Sequence, residues 1–267
     1  MNERLELLVD AKAALGEGPC WDARKRVLYW VDILNGNLFL YDPLKNTNRS
    51  IHLGQFIGAV VPRHTGDVTV VLKNGFFHLD LESETLDSIC DPEYHIVSNR
   101  FNDGKCDPKG RFWAGTMDIQ EQEGKGALYR LDKDHTCHKI RDNIHISNGL
   151  AWGNSNHTMY FIDSPTRKVI GFDYDVETGG IENGRTIIDL SHKKGIPDGM
   201  TIDQEGMLWI AEWGGWEVSR WNPPCLRIYG LNANVLIALD DHEIQRYYST
   251  IRRDYFCIRL RLLRSTV

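Results

Sequence analysis

Five short runs of aromatic and β-branched residues recur along the chain: VLYWVDI (27–33), VTVVLKN (68–74), RFWAGTM (111–117), TMYFIDS (158–164) and MLWIAEW (207–213). Each follows a polar cluster, DARKR, HTGD, DPKG, GNSNH or DQEG, whose Asp, Asn and Gly residues accept the backbone angles of tight hairpins. Upstream of each cluster lies a run that opens on glycine and small apolar residues: GPCWD, GAVVP, GKCDP, GLAWG and GMTID. A third run follows in the first four units, as NLFLYDP (37–43), GFFHLDL (75–81), GALYRLD (126–132) and VIGFDYD (169–175). Each run has the length and residue types of a strand.

The opening glycines, Gly18, Gly58, Gly104, Gly149 and Gly199, are 40 to 50 residues apart. Three to four strands per such interval is the signature of a β-propeller blade. Helical periodicity is nearly absent, and no amphipathic segment separates the strands as a βαβ unit would need. The pattern predicts an all-β, six-bladed β-propeller spanning 1–267 as a single domain. Five blades are clear over residues ~15–220. The region 222–267 is left for an atypical sixth: it holds seven arginines, no lysine and one glycine, Gly230, and lacks the repeated pattern. The N-terminal RLELLVDAKAAL is expected to supply a strand that closes the ring.

Composition narrows the function. The 267 residues carry 31 Lys+Arg against 37 Asp+Glu, a net charge of −6, which disfavours a nucleic-acid surface. At 42% hydrophobic the chain is too apolar for disorder, yet no run reaches the ~20 apolar residues of a membrane span. MNERLELLVD places charges inside its apolar stretch, unlike a signal peptide. Six cysteines stand at wide, irregular spacings without a C-x-x-C pair, which reads as reduced thiols in a cytoplasmic protein. His135-Thr136-Cys137-His138 is a weak metal pair in a polar hairpin, and Trp21, Trp113, Trp152 and Trp209 read as blade-packing aromatics.

The residue before each opening glycine occupies an equivalent place on the innermost strand: Glu17, Ile57, Asp103, Asn148 and Asp198. Asp and Asn before Gly are favoured turn residues, and each taken singly can be only that. Glu17 is a poor turn former, however. Four oxygen-bearing groups converging on one channel would repel one another unless a cation lay between them. Hard oxygen donors suit Ca²⁺, Mg²⁺ or Mn²⁺, and Zn²⁺ can also occupy such a set. Beside them, Arg100 can hold a polyhydroxy or carboxylate ligand through its planar donors, or form a salt bridge between blades.

LGEGPCWD (15–22), NRFNDGKCDPKGRFWAGTM (99–117), SNGLAW (147–152) and PDGMTID (197–203) resemble the motifs of the gluconolactonase/regucalcin (senescence-marker-protein) family of sugar lactonases. The resemblance covers residues ~7–222 and fades after Trp221-Asn222-Pro223. It implies a six-bladed propeller with one divalent metal ion held by Glu17, Asn148 and Asp198. Asp198 would also be the catalytic acid/base, and Arg100 and Asn102 would bind substrate with Asp103 beside them. A further substrate-contacting carboxylate follows the family's AGTM, where this chain runs MDIQ and offers Gln120 or Asp118.

Hydrolysis of a lactone, a cyclic ester, needs charge stabilisation on the carbonyl oxygen and an activated water. A divalent cation and one carboxylate can supply both. No G-x-S-x-G element is present, which removes the usual serine esterase. The expected function is a metal-dependent hydrolase of a small sugar lactone. The alternative is a non-catalytic propeller that binds calcium or a partner protein. The sequence leaves the physiological lactone, the metal and the oligomeric state open.

Overall fold

The computed structural model describes residues 8–223 and the backbone of 228–231. Five four-stranded antiparallel sheets follow one another, each with its strands in chain order. Blade one is β1 (Gly16–Asp22), β2 (Val27–Asp32), β3 (Asn37–Asp42) and β4 (Thr47–His52). Blade two is β5 (Ile57–Pro62), β6 (Val68–Leu72), β7 (Gly75–Leu79) and β8 (Leu86–Cys90). Blade three is β9 (Asn99–Cys106), β10 (Phe112–Asp118), β11 (Gly126–Leu131) and β12 (Cys137–Ile144). Blade four is β13 (Ser147–Trp152), β14 (Thr158–Asp163), β15 (Lys168–Tyr174) and β16 (Ile181–Asp189). Blade five is β17 (Ile196–Ile202), β18 (Leu208–Trp213), β19 (Glu217–Trp221) and β20 (Ile228–Leu231).

The repeat in the sequence is thus a repeat in space. First strands of successive blades pack side by side, β1 on β5, β5 on β9, β9 on β13 and β13 on β17. Four apolar clusters fill the four seams between neighbouring blades, because each sheet is buried on both faces there. This explains the nearly unbroken apolar runs of the second strands: β6 (VTVVL) and β10 (FWAGTMD) are buried at every position.

Trp113 and Trp152 lie in one seam with ring centroids 5.8 Å apart, as their packing role requires. Trp21 and Trp209 are only partly buried; the Trp209 indole N–H donates to Asp203 at 2.8 Å.

Two expectations change at the ends of the described region. Residues 8–15 form no strand. The amides of Ala14 and Leu15 are instead held at 3.0 Å by the Asp32 carboxylate, which fixes the entry to β1. The fifth blade also takes its outer strand from beyond residue 220, since β20 pairs with β19 from Val218↔Leu231 to Trp221↔Ile228. The described residues therefore form five blades; the expected sixth lies outside them.

Candidate active site

In every blade the ladder between the first and second strands breaks at the opening glycine. The irregularities fall between Glu17 and Cys20, Ile57 and Ala59, Ser147 and Leu150, and Pro197 and Met200. In blade three the break skips Asn102 and Asp103. A β-bulge re-aims the unpaired residue. Here it acts at five equivalent points of the innermost strands. The close approach of those strands accounts for the glycine: a Cβ on Gly149 would stand 2.5 Å from Met200 Cβ and 2.8 Å from the Asp198 carbonyl oxygen. Gly199, on the last described inner strand, has no atom within 4 Å among the described residues.

The bulges bring Glu17, Asp103 and Asp198 within electrostatic reach of one another. Burial raises the Glu17 carboxyl well above the usual range, and the charges of Asp198 and Asp103 raise it further. Asp198 is pushed up to about 7 by burial and then by Asp103, against hydrogen bonds from the Asn148 amide and the Gly199 N–H. Asp103 is raised by burial, opposed by Lys105 and by the Gly104 N–H, which donates at 2.7 Å. One guanidinium answers this cluster: burial lowers the pKa of Arg100, and Glu17, then Glu121, raise it.

Asn148 also donates to Ser164 Oγ at 3.0 Å, and Lys105 Nζ reaches across to the Met200 carbonyl at 2.7 Å. Arg100 Nη1 donates to Asn102 Oδ1 at 2.7 Å, while Asn102 Nδ2 donates to the Ser147 carbonyl at 2.8 Å. Asn102 thereby ties Arg100 to the neighbouring blade.

A cavity of about 1960 Å³ adjoins the cluster, with Glu17, Asp103, Lys105 and Asp198 in its wall. Arg100, Asn102 and Asn148, each at least nine-tenths buried, stand outside that wall. The cavity exceeds the few hundred to ~1,000 Å³ usual for a small ligand. It also runs along Ala14, Trp213 and Trp216, at the flanks of blades one and five.

Sequence reasoning missed Glu121. Of its two neighbours, Asp118 is buried and spends Oδ1 on the amides of Gln120 and Gln122, and Gln120 is exposed. Glu121, exposed and with φ of 57°, is the carboxylate whose charge reaches Arg100. No spacing rule finds it, because the left-handed turn decides which residue of MDIQE brings its charge within reach of Arg100.

His135 and His138 do not act as a pair. His135 Nε2 meets His78 Nε2 at 3.3 Å, and His138 Nε2 meets Asp132 at 3.3 Å.

Among the described residues no three or more His, Cys, Asp or Glu side chains form a ready metal cage. Glu17, Asn148 and Asp198 offer two carboxylates and an amide. That hard-oxygen set fits a divalent cation.

Fold and site together define a β-propeller with an acidic, arginine-backed cluster on its innermost strands. The family described as "SMP-30/Gluconolactonase/LRE-like region" matches residues 15–227, and the chain belongs to it. It is 41% identical over 217 residues to a Bacillus subtilis (strain 168) protein assigned as sugar lactone lactonase YvrE, spanning 81% of this chain and 74% of that one. Regucalcin of Danio rerio is 36% identical over 222 residues, 82% of this chain and 75% of that one. The solved structure of a calcium-binding protein, regucalcin, from Agrobacterium tumefaciens superposes with a TM-score of 0.78 at 27% identity, covering 81% and 73% of the two chains. Membership of this family supports lactone hydrolysis in general. No helix among the described residues is long and apolar enough to cross a membrane.

Proposed function

We propose that the protein is a divalent-metal-dependent hydrolase that opens the ring of a small sugar lactone. The observation that carries this reading is the convergence of Glu17, Asp103 and Asp198, all with raised carboxyl pKa values, beside one buried guanidinium. Such a cluster is costly for a scaffold and useful to a catalyst.

A cation held by Glu17, Asn148 and Asp198 supplies Lewis acidity toward the lactone carbonyl when bound. Asp198, buried beside Asp103 and fixed by the Asn148 amide, is placed to accept a proton from water and return one to the leaving alkoxide. Arg100 and Asn102 orient sugar hydroxyls, with Asn102 serving also to hold the guanidinium. Asp103 adds a hydroxyl acceptor at the wall of the cavity, and Glu121 balances Arg100 from outside.

The name of the Agrobacterium relative supports calcium among the candidate ions, with zinc, manganese and magnesium compatible with the same donors. We read the chain as one domain over 1–267. None of the four described cysteines is in a disulfide, in keeping with a cytoplasmic location.

The second reading, a calcium-binding propeller without catalysis, is favoured only by that relative's name. Glucono-δ-lactone hydrolysis, followed by acid release, separates the two. Turnover is expected to vanish in EDTA, to return with Mn²⁺, Zn²⁺ or Ca²⁺, and to fall about 10³-fold or more in Glu17→Gln and Asp198→Asn. Turnover indifferent to both EDTA and Asp198 would refute the mechanism, and inactivity across a lactone panel with calcium still bound would establish the second reading.

A further inference from the structure

Away from the acidic cluster, the seam between blades two and three brings two thiols together. Cys90 ends β8 and sits across the ladder from Phe76, while Cys137 opens β12 across from Leu131, itself the ladder partner of Phe112. Phe76 and Phe112 pack edge to face across the seam at 5.6 Å. Register and ring packing thus place the two cysteines against one apolar cluster from opposite blades. The two thiols are close enough for each to shift the ionisation of the other. Both are partly exposed, and neither borders the cavity or has a part in lactone hydrolysis.

We propose that Cys90 and Cys137 are a dithiol that hydrogen peroxide closes into a disulfide joining blades two and three. The Cys90 sulfur attacks one peroxide oxygen. The O–O bond breaks, and the departing hydroxide takes the Cys90 proton as water, leaving a sulfenic acid. The Cys137 sulfur then attacks the Cys90 sulfur and expels hydroxide, which leaves as a second water with the Cys137 proton. Two thiols and one peroxide become one disulfide and two waters, with two electrons passing from sulfur to oxygen.

The roles are unequal. The neighbouring Cys137 side chain lowers the Cys90 thiol pKa, whereas the Cys90 side chain and then burial raise that of Cys137. Cys90 is accordingly the attacking sulfur and Cys137 the resolving one.

The bond would have a definite mechanical effect. Cys90 leads directly into the connection that carries Glu93, whose carboxylate accepts hydrogen bonds of 2.9 Å from Asn99, Thr116 and Tyr129 of blade three. That connection ends just before Arg100. A covalent link at its base would fasten it to blade three and close a loop of roughly 50 residues.

Peptide mapping of the full chain after stoichiometric hydrogen peroxide tests this without any activity assay, so its result is independent of the lactonase reading. A Cys225→Ser/Cys257→Ser variant serves alongside the wild type. The expected result is one cross-linked peptide pair containing Cys90 and Cys137, lighter by two hydrogens, and two fewer titratable thiols. Tm should rise by roughly 5–10 °C, reversed by dithiothreitol. In Cys137→Ser, Cys90 should instead accumulate a dimedone-reactive sulfenic acid. If that variant does not fold, the wild-type map decides. Both residues remaining open to alkylation while other thiols oxidise, or a link between Cys20 and Cys106 in place of this one, would overturn the proposal.

Discussion

The first strands of the propeller carry two sets of aspartates that look alike in sequence and differ in physics. At the bulges, Asp103 and Asp198 share space with Glu17 and have carboxyl pKa values above the ordinary range. A few residues further along, at or just after the strand ends, stand Asp22, Asp107 and Asp203, each accepting amide hydrogen bonds within its hairpin turn. Asp107 also takes bonds from Trp113 Nε1 at 3.0 Å, Arg111 Nε at 2.5 Å and Tyr174 Oη at 2.8 Å. Burial alone would raise its pKa, but these donors outweigh burial and bring it below the usual value. A buried carboxylate surrounded by donors holds the fold together. One surrounded by other carboxylates stores repulsion that a bound cation relieves.

The largest test of this contrast is Asp107→Ala. It leaves the Arg111 guanidinium buried without its carboxylate, so a loss of about 3–5 kcal/mol of stability is expected in chemical denaturation. Lactone turnover per folded molecule should be unchanged. A drop in turnover of the folded fraction would erase the distinction between the two sets.

A smaller effect of opposite sign is expected at Asp198. Its folded pKa of about 7 lies above its ordinary 3.8, so its contribution to stability is fully present below about pH 4 and is lost as pH rises through 7. In EDTA, Asp198→Asn should melt several degrees above the wild type at pH 8 and show little difference at pH 4. A divalent cation should reverse the order at pH 8. Equal melting temperatures in EDTA at pH 8 would mean that the acidic cluster stores no repulsion.

The smallest effect is assigned to Arg100→Lys. It keeps the charge opposite Glu17 and loses the planar fork and its bond to Asn102, so KM for glucono-δ-lactone should rise about tenfold, or ~1.4 kcal/mol, with kcat changed less. An unchanged KM would place Arg100 with the structural ion pairs.

Some of this was legible before any coordinates. Second and third strands could be read as runs rich in apolar and aromatic residues, and first strands from the glycine that opens each of them. The fourth strands could not: β4 (TNRSIH) and β12 (CHKIRDNI) are largely exposed, β8 (LDSIC) has no buried residue, and all three read as loop. The outer strand of blade five, β20 (Ile228–Leu231), passed as part of the tail, which lacks the repeated pattern. Within the site, Glu17, Asp103 and Asp198 were legible from their phase with the repeat. Asn102 as the clasp of Arg100, Glu121 behind it and Cys137 against Cys90 were not, since each depends on a partner in another blade or on the hand of one turn.

The order of residues along the chain suffices for the blade repeat, the glycine that opens each blade and the chemical types that stand before those glycines. These follow from local periodicity and hairpin chemistry, which are short-range. Which carboxylates repel and which are satisfied, and which side chains meet across a seam, was settled by the packing of sheets some forty residues apart. Electrostatic energy and burial depend on distance in space, and the chain has no local code for that.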